Sequence, residues 1–243
     1  MDNAEKKELM SVIDSGWYTE SSKTKEFERM FASFVGAKYA CAVTSGTAAL
    51  YVGLKALKIG NGDEVVVPDL TFVASPNSVE ATGAKPILAD IEKNTLNLDL
   101  NKLSKSISKK TKAIMPVDFN GRSIDMKILR EFANKKGIML IEDAAHALES
   151  KSSAGKVGNT NHGAAFSFYA NKNLTTFGEG GALATNDDDL AHSVKNLSLH
   201  GITKDGWKRF DSGGKWEYDI IQLGYKYNMP DISASFGIWQ LNQ

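Results

Sequence analysis

Short apolar runs alternate with helical periodicity along the chain. Seven of these runs have the length and composition of strands: "YACAV" (39–43), "EVVVP" (64–68), "PILAD" (86–90), "KAIMPV" (112–117), "IMLIED" (138–143), "AAFSFY" (164–169) and "GALAT" (181–185). Several are apolar at every position, the pattern of parallel strands covered on both faces. Between them, Phe27, Met30, Phe31 and Phe34 fall on one helical face. Met126, Leu129, Phe132 and Ala133 fall on another, in a helix that stops at Gly137. "DDDLAHSVKNLSL" opens with the acidic residues that a helix N-terminus favours. This alternation predicts an α/β domain with a mostly parallel sheet. The last segment, "MPDISASFGIWQLNQ", reads as a helix cut short.

In open α/β sheets ligands collect beyond the carboxyl ends of the strands, so the residues that follow each run are the ones to weigh. "YACAV" leads into "TSGTAAL", a small-residue turn opening a helix. Unpaired amides there can cradle an anion, with Gly46 admitting it closely and Ser45 and Thr47 adding hydroxyls. After "EVVVP" comes Phe72, whose ring could lie flat against a planar ligand. "IMLI" ends in Glu142 and Asp143, followed by His146; a buried carboxylate there needs a cationic or hydrogen-bonding partner. "AAFSFY" carries Ser167 and leads to Lys172 in "ANKNLTTFGEGG", where enclosure would free the amine as a nucleophile. Each residue alone has a plainer reading: an N-cap, a core aromatic, a helix-capping aspartate, a solvated lysine. Together they are the parts that hold pyridoxal 5'-phosphate: a phosphate cup, a ring face, an acid for the pyridine nitrogen and a lysine for covalent attachment.

Bulk composition narrows the rest. Hydrophobic residues are 42% and charged residues 24%, as in soluble globular proteins. Lys+Arg and Asp+Glu balance at 29 each, so no global field recruits nucleic acid or an anionic membrane. The single cysteine, Cys41, sits in an apolar run and reads as a small core residue in a reducing compartment. With no apolar leader at the N-terminus and no run long enough to span a bilayer, a cytoplasmic protein without nucleic-acid or membrane partners is expected. No metal site is expected.

The ordered blocks "SGWYTESSKTKEFERMFASFVGAKYACAVTSGTAAL", "VPDLTFVAS", "MPVDFNG", "LIEDAAHALES", "FSFYANKNLTTFGEGGAL", "HGITKDGW" and "LGYKYNMPDISASFGIWQL" span nearly the whole chain. In them the sequence resembles the DegT-type nucleotide-sugar aminotransferases, a branch of the type I aminotransferase fold. The resemblance implies the large domain of that fold, a mostly parallel seven-stranded sheet flanked by helices as an α/β/α sandwich. Residues 1–243 would form this cofactor-binding domain, with 1–35 as an N-terminal helical segment. The family's smaller C-terminal domain would be absent or truncated. Lys172 matches the lysine that carries the cofactor as an internal aldimine, Asp143 the pyridinium partner, and His146 the position near the phenolic oxygen. Phe72 matches the stacked aromatic; Gly46, Thr47 and Ser167 match phosphate-binding positions. The family's homodimers share active sites between subunits, and Lys226 in "GYKYNM" falls where a segment reaches the neighbour's cofactor phosphate.

The sequence departs from the family at several positions. Lys226 stands where many relatives carry Asn, and Asn228 where they carry Arg, although a lysine can bind phosphate as a point charge. Asp118 replaces the histidine of the family's "PVH", and the usual Gly-Pro near "WYTESSK" is missing. The implied activity is transfer of an amino group from an amino acid, L-glutamate by resemblance, to a nucleotide-linked keto sugar for surface polysaccharide or glycoconjugate synthesis. "HGITKDGW" is most similar to members that handle 4-keto-6-deoxy or related uridine-diphosphate sugars, with amination at C4. Two alternatives stand beside it. One is a sugar dehydratase, which Lys172 argues against because those enzymes carry histidine there. The other is a catalytically silent cofactor- or sugar-binding member of the fold.

Overall fold

The computed structural model describes residues 3–202 and 219–243. All seven expected runs form strands of a single sheet: β1 (Tyr39–Val43), β2 (Glu64–Pro68), β3 (Lys85–Ala89), β4 (Thr111–Ile114), β5 (Met139–Asp143), β8 (Gly163–Ser167) and β9 (Gly181–Thr185). Their spatial order is β1-β9-β8-β5-β4-β2-β3. Neighbours pair in parallel from β8 through to β3, whereas β9 runs antiparallel to both β8 and β1. The Gly-rich segment before β9 turns the chain straight back beside β8, which is why this one strand is reversed. The expected fold class, an α/β large domain with a mostly parallel seven-stranded sheet, is the observed one.

The "KAIMPV" run ends as regular strand at Ile114, earlier than its apolar pattern suggests. Pro116 has no amide to donate, so the ladder is interrupted there. Contact resumes beyond it, with a parallel bridge between Val117 and Asp143. A second sheet, the hairpin of β6 (Lys151–Ser152) and β7 (Gly155–Lys156), is too short to carry a periodic signal.

Helices cover both faces of the main sheet. On one face α3 (Gly46–Ala56), α4 (Ala74–Ala81) and α6 (Asp188–Ser198) enclose a core that includes Leu54, Val79, Val194, Val65, Val67, Ile141 and Leu183. Cys41 lies in this core, where burial pushes its thiol up to about 12 and leaves it an inert packing group. The alternate residues of the strands face the other way. There α2 (Ser22–Val35) and α7 (Asp231–Leu241) pack Phe27, Phe31 and Ile238 against Phe166 and Ala182. On the same side α5 (Met126–Lys136) packs Met126 and Leu129 on Val66, Ile114 and Leu140. The α5 helix ends where expected, at Gly137 in the left-handed conformation (φ 65°). The N-terminal helix α1 (Asn3–Ser15) packs on α7. No helix among the described residues is long and apolar enough to cross a membrane.

One buried carboxylate joins the two ends of the chain. Ser21 occupies the N-cap of α2, but its side chain makes no capping bond. Asp231 does so from the start of α7. It accepts from the amides of Ser21 (2.7 Å), Lys23 (3.1 Å) and Thr24 (2.9 Å), and from Thr24 Oγ1 (2.7 Å). Asp231→Ala strands these donors around a site only 3% exposed, and should cost on the order of 3 kcal/mol or more. Asp231→Asn keeps one acceptor oxygen and should cost markedly less; urea unfolding midpoints of the two variants check the ranking.

Candidate active site

The parallel strands deliver their carboxyl ends, and β9 its amino end, to one edge of the sheet. At the end of β1 the chain turns through Thr44 and Ser45 into α3. Ser45 caps that helix, its hydroxyl accepting from the Ala48 amide at 3.0 Å. Gly46 and Thr47 form the first turn, where amides lack intrahelical partners and the dipole is positive. Two close approaches hold this turn in place. A Cβ on Gly46 would stand 2.8 Å from Ser167 Cβ, and one on Gly181 would stand 2.5 Å from the Gly46 amide nitrogen. The glycines thus bring Ser167, at the end of β8, against the helix N-terminus. Gly46, Thr47 and Ser167 are brought together as the sequence predicts, in a cradle suited to an oxyanion.

A second group lies at the end of β5. Asp143 is 6% exposed; its Oδ2 accepts from Ser75 Oγ at 2.7 Å and its Oδ1 from the Ala145 amide at 3.2 Å. Burial pushes its pKa up, while the Ser75 and Ala145 bonds and the nearby His146 and Lys172 pull it back toward the ionised form. His146 is moved down, first by partial burial and then by the Lys172 ammonium, with Asp143 opposing both. Asp143, His146 and Lys172 therefore form one electrostatic group. Lys172 is half-buried rather than enclosed, in a turn where its amide donates to Tyr169 O at 2.9 Å.

Phe72 is 74% exposed, on the segment that leads from β2 into α4. Its carbonyl accepts from the Ser75 amide at 3.1 Å, so the backbone of Phe72 is tied to the residue whose hydroxyl bonds Asp143. Ser75 is the residue that sequence reasoning missed. Its signal was present in "TFVAS", three residues after the aromatic, but a lone serine has no distinguishing pattern.

Lys226 lies on a strap that runs beside β1. Tyr227 O accepts from the Thr44 amide at 2.8 Å, Asn228 bridges Val43, and the Tyr225 and Tyr51 hydroxyls meet at 3.0 Å. The Lys226 ammonium is exposed and donates to Asn228 Oδ1, so within the single chain it joins neither the cradle nor the Asp143 group. Asp118 is 1% exposed and faces Glu142 beneath the sheet, away from Asp143. Of "HGITKDGW", residues 203–207 lie outside the described residues. A cavity of about 900 Å³, lined by Lys58, Arg130, Asn134, Thr160 and His162 among others, opens at the opposite, amino edge of the strands. It shares no residue with either group, and the reactive side chains are at the carboxyl edge.

The same architecture and sequence recur in known proteins. The model of the DegT/DnrJ/EryC1/StrS aminotransferase family matches residues 1–243. The spore coat polysaccharide biosynthesis protein SpsC of Bacillus subtilis is 46% identical over 97% of this chain and 60% of its own length. Among solved structures, DesV of S. venezuelae in complex with a ketimine intermediate superposes with a TM-score of 0.89 at 34% identity, covering 98% of this chain and 61% of that one. The PLP-form of the sugar aminotransferase Spr1654 of Streptococcus pneumoniae, described as putative, gives a TM-score of 0.89 at 34% identity, covering 100% and 64%. The chain thus spans about three fifths of the length of these relatives. With the family model matched from end to end, the chain belongs to the DegT/DnrJ/EryC1/StrS aminotransferase family.

Proposed function

We propose that residues 1–243 form the large cofactor-binding domain of a pyridoxal-phosphate-dependent aminotransferase. It would move an amino group from an amino acid, L-glutamate by family resemblance, to a nucleotide-linked keto sugar. The observation that carries this reading is the Asp143 group. A buried carboxylate is positioned by Ser75 and biased toward ionisation by His146 and Lys172, on the same sheet edge as the Gly46–Ser167 cradle. These residues fit the cofactor in kind: an oxyanion cradle that a single Cβ would fill, a carboxylate for a protonated ring nitrogen, and an amine beside it. The relatives agree in their names. One Spr1654 structure is a PLP-form and another a PMP-form, and SpsC is named for polysaccharide biosynthesis.

Bound pyridoxal phosphate supplies an electron sink for charge that develops on the amino-acid α-carbon. The chain's own residues would do the rest. Asp143 keeps a proton on the ring nitrogen, and Ser75 keeps Asp143 aimed at it. The amides at Gly46 and Thr47, with the Ser167 hydroxyl, take the phosphate. Phe72 would offer its ring to one face of the cofactor, and His146 would stand near its phenolic oxygen. Lys172 would be the attachment point and, as a free amine, the base and acid for the α-proton. Lys226 would serve the phosphate of a second subunit in a homodimer with shared sites.

Two outcomes test the site directly. Cofactor added to the purified chain should give the absorbance of a lysine-bound chromophore that L-glutamate bleaches and Lys172→Ala abolishes. Folded, cofactor-saturated protein without that band would overturn the reading. A band that L-glutamate bleaches, with no amination across a panel of nucleotide keto sugars, would favour a binding member of the fold. Gly46→Ala drives a methyl against Ser167 and should weaken cofactor retention about tenfold or more, since such overpacking costs roughly 1–3 kcal/mol. Equilibrium dialysis of the cofactor checks this.

A further inference from the structure

Glu142 precedes Asp143 on β5 and points to the opposite face of the sheet, where it meets Asp118. Both side chains belong to residues only 1% exposed, and the carboxyls lie within hydrogen-bonding reach of each other. Asp118 Oδ1 accepts from the Ile124 amide at 3.3 Å, and Glu142 Oε2 faces His162 Nε2 at 3.3 Å. The other oxygen of each, Asp118 Oδ2 and Glu142 Oε1, is buried and meets no donor. Two ionised carboxylates cannot occupy such a place without a matching positive charge.

The surroundings do not provide enough of it. From α5, Arg130 acts on Glu142 through space, but its guanidinium donates to Thr160 Oγ1 at 3.0 Å, and its Nε has no partner. Thr160 Oγ1 accepts that bond and one from the His162 amide at 3.3 Å, so its own proton is directed at His162 Nδ1, 2.5 Å away. His162 is then neutral, with its Nε2 proton toward Glu142. Burial, followed by the Arg130 charge, pushes its pKa down to about 3, so the contact is a hydrogen bond rather than an ion pair. On β5 itself Asp143 adds negative charge, and His146 and Lys172 face Asp143. One cation is left facing two carboxyls.

We propose that Asp118 and Glu142 hold one proton between them, as a hydrogen bond from Asp118 Oδ2 to Glu142 Oε1 that ties the segment after β4 to β5 beside Asp143. One proton satisfies both orphaned oxygens and leaves a single negative charge for Arg130. The joint falls just after Pro116 interrupts the β4 ladder. There the backbone connection consists of Asp143 N to Pro116 O at 2.9 Å, Asp118 N to Asp143 O at 3.1 Å and the Val117–Asp143 bridge. Titration runs the same way. Burial and then Glu142 raise Asp118 well above the usual carboxylate range, and burial pushes Glu142 up to about 7 against the pull of Asp118 and Arg130. The pair is built from residues outside the Asp143 group.

Both folded pKa values lie above the unfolded ones, near 4, so the folded chain holds protons that the unfolded chain has released. The stabilisation is complete below about pH 4. It declines as pH rises through about 7 for Glu142, and the Asp118 share is lost as pH rises through that group's own raised folded value. His162 has the opposite sign, losing stability on acidification, and is neutral in both states across pH 7.5–8.5, roughly a unit or more above its free value. In that window the wild-type unfolding constant should rise with pH more steeply than that of Asp118→Asn, by up to about tenfold per pH unit. The asparagine keeps a donor for Glu142 without a titrating proton. Equal slopes would overturn the proposal. If Asp118→Asn does not fold, Glu142→Gln makes the same comparison. The native wild-type chain at pH 8 should also show the infrared carbonyl stretch of a protonated carboxylic acid that persists in Asp143→Asn; its absence would equally overturn the shared proton.

Discussion

A carboxylate at the closed end of a buried strand must be matched by donors or cations, and the whole carboxyl edge of this sheet is arranged around that demand at Asp143. The strand runs inward through Leu140 and Ile141, apolar and covered on both faces, and then presents a charge-bearing group where the backbone leaves the sheet. Ser75 reaches it from the start of α4, the Ala145 amide from the chain beyond β5, and the Lys172 ammonium and the His146 ring from the segments that follow β8 and β5. Each of these belongs to a different connection of the fold. The group therefore assembles only when β2, β5 and β8 are in register, and the chemistry proposed for it depends on the sheet order β8-β5-β4-β2.

The anion cradle depends on a different constraint, the absence of side chains. Ser45 satisfies part of the α3 N-terminus, and the remaining positive end becomes useful only because other backbone comes very near. Gly46 lets Ser167 approach, and Gly181 lets β9 pass against the Ser45–Gly46 peptide. Any Cβ at Gly181 would meet backbone rather than a movable side chain, so the strand could not sit there. The reversed direction of β9 is part of the same arrangement. It brings the amino end of that strand, with its glycines, to the edge where the other strands end.

Most of the architecture was legible in the order of apolar runs, because strands buried on both faces leave an uninterrupted signal. The strand that departed most, β4, did so at Pro116, where pattern and hydrogen bonding conflict. The candidate residues were legible as residue types at strand ends: Gly46, Thr47 and Ser167 meet at the carboxyl edge, and Asp143, His146 and Lys172 form one electrostatic group there, with Lys172 half-buried rather than enclosed. What the sequence could not supply was the partner of each polar group. Ser75 bonds Asp143 across 68 positions, and Asp231 caps α2 across 210. Such pairings are properties of the folded sheet, and no local pattern encodes them. Lys226 illustrates the converse. Its motif is recognisable, yet in the single chain its ammonium is held by Asn228, two residues away.

Neighbouring residues on β5 also show that one physical problem has two answers. Asp143 faces the edge where the Lys172 ammonium and the Ser75 hydroxyl converge, so the burial that raises its pKa is opposed by groups that favour the ionised form. Glu142, one residue back and on the other face, meets a second carboxyl, the neutral His162 ring and the charge of Arg130, so a shared proton supplies the remaining neutralisation. The two solutions are linked through the backbone, because Asp118 and Asp143 exchange no side-chain contact yet share an amide-to-carbonyl bond. A histidine at position 118, as in the "PVH" of the resembling family, would bring Glu142 a cation or a donor without borrowing a proton. Aspartate there replaces an imidazole with a second carboxyl, so the pairing with Glu142 calls for a shared proton, next to the strand residue Asp143.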